Sequence, residues 1–252
     1  SESAKLLAQG LGLLRCNPIN TRFVPKWDDV IINWGCSSAP SSTPVTAWGR
    51  PKYINHPNAV RIAANKLNAL SYMACNEVSV IPSTINRELA LTWLEEGSYV
   101  YERHTLNGHG GSGIRVVHSP DDLSANGVQL YTRGIRIRRE YRVHVFDGKV
   151  IDYVQKRRKF GADPNEVSEY VRNHTHGWVF CRSGFDRIEE VERQAVAAVE
   201  ALGLNFGAVD IIQEKITGNV YVLEVNTAAG FSGPESSTLQ AYINTFKEKL
   251  NI

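Results

Sequence analysis

The 252-residue sequence lacks the features that mark membrane, secreted or metal-cluster proteins. Its apolar runs are far too short to span a bilayer. Its first ten residues, SESAKLLAQG, lack the basic start and apolar core of a signal peptide. The four cysteines, Cys16, Cys36, Cys75 and Cys181, are scattered and form no C-x-x-C pair. We therefore expect neither a metal cluster nor a disulfide framework, and free thiols in a cytoplasmic protein are the favoured interpretation.

Strong net charge and nucleophilic catalytic motifs are also missing. A formal net charge of +2 is too small to indicate nucleic-acid binding by itself. We identify no Ser-His or Cys-His arrangement of the kind used in nucleophilic catalysis. The composition, with 42% hydrophobic and 21% charged residues, is typical of a globular protein. This length allows one large domain or two to three small lobes.

The hydrophobic pattern predicts an α+β fold with a β-rich middle. Apolar residues from Val60 to Ala74 recur at steps of three and four, which predicts one amphipathic helix. Between residues 129 and 155 the apolar residues alternate instead, with Asp147-Gly148 as a hairpin turn. Two further strands, 207–212 and 220–225, are joined by a second hairpin turn at Thr217-Gly-Asn219. A helix over 239–250 ends the chain.

Asp210, Glu224 and Asn226 form the strongest candidate site. Glu224 and Asn226 are two residues apart on one strand, so their side chains share a face. Asp210 lies inside the apolar run AVDII of the paired strand, where a carboxylate is costly unless it is paired or holds a cation. Three hard oxygen ligands predict a magnesium site. The alternative is that the carboxylates form buried salt bridges with arginines.

Two further signals point to phosphate binding. The stretch from Asn107 to Gly113, NGHGGSG, contains four glycines that let the backbone approach a phosphate, although an ordinary hairpin tip explains it equally well. It matches neither the Walker loop nor the dinucleotide fingerprint. Arg142 lies on the strand before the Asp147-Gly148 turn and could face a transferred phosphoryl group, or solvent.

These motifs occur in an order that resembles the ATP-grasp superfamily. Lys66 opens a helix, the glycine-rich hairpin follows, then the Arg142 strand, and last Asp210 with the segment Glu224-Val-Asn-Thr-Ala-Ala-Gly230. The last segment matches the family pattern E-[IV]-N-[TP]-x-x-G, and the resemblance covers the chain from about residue 55 onward. The sequence is most similar to RimK-like ligases and to phage-type COOH–NH2 ligases.

The resemblance implies roles for individual residues. Asp210, Glu224 and Asn226 would hold magnesium between the ATP phosphates. Arg142 would reach the γ-phosphate, and Arg172 and Asn173 would help to hold it, so these three are the candidate catalytic residues. The candidate nucleotide-binding residues are Lys66, Arg103, Gly108, Gly110, Gly111, Ser112, Gly113, Gln129, Leu130, Tyr131 and Lys156. Residues 129–131 would form the adenine-side linker between lobes.

This chain departs from the family's usual residues in two places. The family usually has a lysine in the strand where this chain has Arg103, and an arginine keeps the charge but not the point-like geometry. The linker lacks the usual acidic residue in Tyr131-Thr-Arg-Gly134.

The resemblance implies an ATP-grasp fold with three parts: a short leading lobe over residues 1–57, a small lobe with the glycine-rich loop over 58–128, and a large lobe with the metal site over 129–252. The implied activity is ATP-dependent carboxylate–amine ligation through an acyl-phosphate. A kinase that phosphorylates a small-molecule hydroxyl, or a protein that binds ATP without turnover, are the alternatives.

Two basic clusters suggest a substrate that carries several negative charges. Arginines crowd residues 133–142, and Lys156, Arg157, Arg158 and Lys159 follow at the end of the next strand. Charge that protects a sheet edge is one explanation. The other is an acidic peptide or protein tail, favoured over nucleic acid because exposed aromatics are not interleaved with the clusters. The sequence points to no membrane partner and leaves a homo-oligomer open.

Overall fold

The computed structural model describes residues 1–17, 23–38, 51–107, 112–163 and 167–252. The helices are α1 (Glu2–Leu11), α2 (Pro57–Ala64), α3 (Lys66–Cys75), α4 (Arg87–Glu95), α5 (Glu189–Ala201) and α6 (Ser237–Leu250). The strands are β1 (Val30–Ile32), β2 (Lys52–Ile54), β3 (Ser83–Thr84), β4 (Val100–Arg103), β5 (Ile114–Val117), β6 (Leu130–Arg133), β7 (Ile137–Phe146), β8 (Lys149–Arg158), β9 (Trp178–Cys181), β10 (Phe206–Glu214) and β11 (Val220–Asn226). The predicted α+β class with a β-rich middle is confirmed.

Two antiparallel sheets dominate the molecule. The large sheet has the order β11-β10-β7-β8-β9, and the small sheet has the order β3-β6-β4-β5. Both predicted hairpins are present. At the turn between β7 and β8, Asp147 has φ 42° and Gly148 has φ 74°, so both residues adopt the left-handed conformation that a tight hairpin favours.

One face of the large sheet packs on helices α2, α3 and α5 in the main apolar core, which includes Met73, Tyr141, Val199 and Ile211. Part of the other face is covered by α1 and α6, where Leu7 and Phe246 meet Phe146 and Phe206. Since β-strand side chains alternate between faces, Glu140 and Arg142 share this second face with Phe146. The small sheet packs one face on α4 in a third core.

The predicted helix from Val60 to Ala74 is in fact two helices that meet at Asn65. This residue has φ −93° and ψ 112°, which is extended rather than helical. It ends α2, and its side chain accepts a hydrogen bond from the backbone of Asn68 at 3.0 Å, which caps α3. Hydrophobic periodicity did not reveal the break because apolar residues continue on both sides of it.

The described part of residues 1–55 packs on the large sheet. Helix α1 contacts α6, and the two-stranded parallel sheet β1-β2 leads to Asn55. Asn55 is fully buried, and its side chain bonds the backbone of Asn205 and Phe206 at the start of β10. Helices α2 and α3 also pack on the large sheet although they fall in the predicted small lobe. The boundaries at residues 57 and 128 stay predictions. Among the described helices, none is both long enough and apolar enough to cross a bilayer.

Candidate functional site

A cavity of about 610 Å3 lies between the two sheets. Strands β7, β10 and β11 line it on one side, and β4 and β6 line it on the other. The start of α3, residues 170–173 and residues 226–228 complete the wall, together with Gly35 and Ser37 of the leading segment. The lining contains six cations and three carboxylates: Lys66, Arg103, Arg133, Arg142, Lys156, Arg172, Glu140, Asp210 and Glu224.

The structure brings the three candidate metal ligands together, and their role in binding a metal stays a prediction. Asp210 on β10 lies directly opposite Glu224 on β11. The Asn226 amide donates to Glu224 Oε1 at 3.0 Å and lies 3.5 Å from Asp210 Oδ2. Two carboxylates and an amide thus face one point in the cavity wall.

Each of these carboxylates also pairs with a cation. Arg142 donates two hydrogen bonds to Asp210, both 2.7 Å long, across the β7–β10 pair. Although burial alone would raise the pKa of Asp210, the Arg142 guanidinium lowers it to about 2. Glu224 pairs with the Lys66 ammonium. The alternative reading of buried ion pairs therefore also describes these contacts.

The break at Asn65 places Lys66 in the cavity wall. Because α3 begins at Lys66, the backbone N–H of this residue is free of intrahelical bonding and donates to Leu106 O at 3.1 Å. This bond ties the start of α3 to the segment that precedes the glycine-rich stretch. The Lys66 side chain, only 14% exposed, then reaches Glu224.

A second charged group lies beside the first. Lys156 on β8 pairs with Glu140 on β7, and Arg172 lies 3.9 Å from the same carboxylate. Burial raises the pKa of Glu140 in spite of both cations. Asn173 lines the cavity next to Arg172 and caps the short helical turn over His174–His176. Glu140 was not among the predicted site residues, although counting the register back from the Asp147-Gly148 turn places it near Lys156.

Arg103 extends from β4 into the cavity. Its Nε is buried and makes no hydrogen bond within the described part of the chain. Burial lowers the pKa of Arg103, and the nearby Glu224 only partly opposes this effect. A buried guanidinium donor without a partner favours an anionic ligand at this point.

Two aromatic residues of β9 were also not predicted as part of the site. Trp178 lies under the Arg172 guanidinium, whose central carbon is 4.4 Å from the centroid of the ring. Phe180 lies under the Arg142 guanidinium, with the corresponding distance 4.8 Å. The signal for them was available: they alternate with Val179 and Cys181 on one short strand and so share a face.

The predicted glycine-rich residues lie only partly within the described chain. Gly108, Gly110 and Gly111 lie outside the described residues. Ser112 lines the cavity, and Gly113, with φ 71°, packs against the Thr105 side chain.

The predicted linker residues 129–131 do not line the cavity, and their role beside the adenine stays a prediction. Gln129 donates to His104 O at 2.9 Å, Leu130 is buried in the main core, and Tyr131 is buried against α4. These residues begin a strand of the small sheet, and the chain passes to the large sheet after Arg133. Thr132, Arg133 and Ile135 line the cavity instead.

The residues present fit a magnesium ion. The described residues contain no group of three or more His, Cys, Asp and Glu side chains that could hold a metal. Magnesium, however, binds through one or two carboxylates and completes its shell with phosphate and water oxygens. Asp210 and Glu224 meet that requirement, with Asn226 as a neutral third ligand.

No family model matches the sequence, and no curated protein matches it. Solved structures do. The ATP-grasp ligase PsnB, solved in complex with a minimal precursor, shares 20% identity with a TM-score of 0.59, over 79% of this chain and 64% of that one. D-alanine–D-alanine ligase from Bacillus anthracis shares 15% identity with a TM-score of 0.56, over 77% and 66%.

The macrocyclase MdnC from Microcystis aeruginosa MRC, bound to the precursor peptide MdnA, shares 16% identity with a TM-score of 0.52, over 77% of this chain and 63% of that one. The chain spans slightly less than two thirds of the length of these proteins. This likeness to solved structures shows that the chain has the ATP-grasp fold.

Proposed function

We propose that this protein is an ATP-dependent carboxylate–amine ligase that forms ADP, of the RimK-like or phage-type kind. The observation that supports it best is the cavity itself, where Asp210, Glu224 and Asn226 face the cations Lys66, Arg103 and Arg142 between the two sheets. Carboxylates that hold magnesium and cations that hold phosphate are both needed to bind ATP and to transfer its γ-phosphoryl group.

The proposed reaction has two steps. A substrate carboxylate oxygen attacks the γ-phosphorus, and the bond from that phosphorus to the β-bridging oxygen breaks to release ADP. An amine nitrogen then attacks the acyl carbon, inorganic phosphate leaves, and the nitrogen loses a proton. No protein nucleophile takes part, which agrees with the lack of such a motif in the sequence.

The cavity residues would supply positioning and charge. Magnesium, when held by Asp210, Glu224 and Asn226, would supply positive charge to the phosphate oxygens. Arg142, Arg172 and Asn173 would orient the γ-phosphate, with Lys156 as a further nucleotide-binding cation beside it, and Lys66 and Arg103 would bind the remaining phosphates. Arg142 and Lys66 contact Asp210 and Glu224 in this structure, so they would exchange these carboxylates for phosphate oxygens as ATP binds.

The experiment is magnesium-dependent ATP binding by calorimetry, followed by ADP release against mixed amino acids, peptides and polyamines. Glu224→Gln should reduce ADP release by at least about 100-fold because the charge that faces the phosphates is lost. Glu192→Gln is the matched control, since Glu192 pairs with Arg187 away from the cavity. Wild-type turnover by Glu224→Gln would refute the site. A phosphorylated hydroxyl product without amine would indicate the kinase, and binding without turnover the non-catalytic protein.

We further propose an acidic peptide or protein tail as one substrate. PsnB and MdnC were solved with precursor peptides. In this chain, Arg136 and Arg138 are exposed, and their side chains make no ion pair or hydrogen bond with the described residues. Arg136 also lines a second cavity, of about 800 Å3, that adjoins the first at Arg133 and Ile135.

Salt dependence tests the acidic substrate. The Michaelis constant for such a peptide should rise steeply with ionic strength, while that for ATP rises less, because exposed charges are screened more strongly than buried ones. Arg136→Gln with Arg138→Gln should mimic high salt. A Michaelis constant for the peptide that responds to neither change would leave these arginines as ordinary surface.

The cytoplasmic location remains a prediction. All four cysteines are free thiols in the structure.

A further inference from the structure

Phe180 is an exposed aromatic residue beside the most charged part of the molecule. It lies on β9, the edge strand of the large sheet, opposite Lys156 of β8. Its exposed fraction is 44%, and it belongs to none of the three apolar cores that the described residues form. An aromatic ring in this position contributes little through burial.

The ring of Phe180 contacts two cations of the candidate site. The Arg142 guanidinium carbon lies 4.8 Å from the ring centroid, and the Lys156 ammonium lies 5.6 Å from it. Both distances are within the range in which a cation is attracted to the face of an aromatic ring. The two cations are otherwise held by carboxylates, Arg142 by Asp210 and Lys156 by Glu140.

A ring and a carboxylate hold a cation in different ways. A carboxylate neutralises the cation and competes directly with a phosphate for its N–H groups. The ring face carries no net charge, so the cation stays fully charged and its N–H groups remain free for another acceptor. A ring is therefore suited to orient a cation whose carboxylate partner is drawn to a different ligand.

We propose that Phe180 is a positioning residue that holds Arg142 and Lys156 toward the γ-phosphate once their carboxylates are engaged elsewhere. This inference rests on the proposed function. It predicts that Phe180 matters for nucleotides with a γ-phosphate and not for ADP, because the two cations would contact the terminal group. A role in stability alone would affect both nucleotides equally or neither.

The test uses Phe180→Leu, which keeps an apolar side chain and removes the ring, and Phe180→Tyr, which restores a ring. Phe185→Leu is the matched control, since the Phe185 ring lies 5.5 Å from Arg157, which does not line the central cavity. Calorimetry in the presence of magnesium measures the dissociation constants of ADP and of the β,γ-imido analogue of ATP. Thermal midpoints are recorded for each variant.

We expect Phe180→Leu to weaken binding of the imido analogue by about fivefold and to leave ADP binding unchanged. Phe180→Tyr and Phe185→Leu should bind both nucleotides as the wild type does. Equal weakening of both nucleotides, no weakening, or the same effect from Phe185→Leu would overturn the inference while leaving the proposed function intact. Failure of the wild type to bind either nucleotide would overturn both.

Discussion

At the scale of single residues, the site consists of buried charges, most of which are offset by an opposite charge. Asp210 interrupts an apolar strand and is only 8% exposed at its side chain. Such a carboxylate is costly without a partner, and the two hydrogen bonds from Arg142 offset that cost. The same residues therefore contribute to stability without ligand and are available for chemistry with it.

The ion pair between Arg142 and Asp210 predicts a loss of stability in acid. Because the folded-state pKa of Asp210 is about 2 and its ordinary value is 3.8, ionisation stabilises the fold above about pH 4. That stabilisation, on the order of 2 kcal/mol, should be lost as the pH falls through the folded-state value of about 2. Urea unfolding of the wild type at pH 2 to 6 measures it.

Asp210→Asn should lack this part of the acid dependence and should also be less stable at pH 7 by about 3 kcal/mol, because Arg142 loses its buried partner. Asp186→Asn serves as the control, since Asp186 is exposed and makes no ion pair or hydrogen bond with the described residues. If Asp210→Asn and the wild type show the same acid profile, the ion pair does not carry the stabilisation.

At the scale of secondary-structure elements, the break between α2 and α3 decides where Lys66 lies. A continuous helix through Asn65 would turn the following residues to other faces, and the bond from Lys66 N to Leu106 O would be lost. The Asn65 cap thus links a local backbone feature to the geometry of the cavity.

Replacing this cap should affect both stability and nucleotide binding. Asn65→Ala removes the side-chain acceptor and favours a continuous helix, so we expect a loss of about 1 kcal/mol in the free energy of unfolding. ATP affinity should fall about tenfold as Lys66 moves. Asn86→Ala removes the equivalent cap of α4, away from the cavity, and should cost similar stability with normal ATP affinity. Equal affinities in the two variants would contradict the role of the break.

At the scale of the whole molecule, a few long-range polar contacts hold the leading segment on the large sheet. Asn55 is the main one: its Oδ1 accepts from the backbone of Asn205 at 2.8 Å and of Phe206 at 3.1 Å, and its Nδ2 donates to Phe206 O at 2.9 Å. Gly35 and Ser37 line the cavity from the same segment. The leading segment therefore forms part of the wall of the site.

Asn55→Ala should lower the free energy of unfolding by about 3 kcal/mol, because two buried backbone groups and one half-buried one lose their partner and alanine is strained at the φ of 64° found here. Denaturant unfolding measures this loss. The control is Asn58→Ala, an exposed asparagine whose side chain makes no hydrogen bond with the described residues. A loss below 1 kcal/mol at position 55 would show that apolar packing alone holds the segment.

The sequence determined the elements whose signals are local. Strand alternation and two turns placed β7, β8, β10 and β11, and the hairpin between the last two brought Asp210 opposite Glu224. A tight turn fixes the register of its strands within a few residues, so this part of the site needed no long-range information. The α+β class and the order of the charged motifs followed from the same patterns.

Only the tertiary structure decided which charges meet and where the chain passes from the small sheet to the large sheet. Leu130 and Tyr131 have the pattern of a strand, and that pattern is the same for a central strand and for a strand at a junction between lobes. Only their packing on two different cores shows that the chain crosses from the small sheet to the large sheet after Arg133. The Lys66–Glu224 pair joins residues 158 positions apart. Periodicity reports the face on which a residue lies, but the partner on that face depends on how distant elements pack.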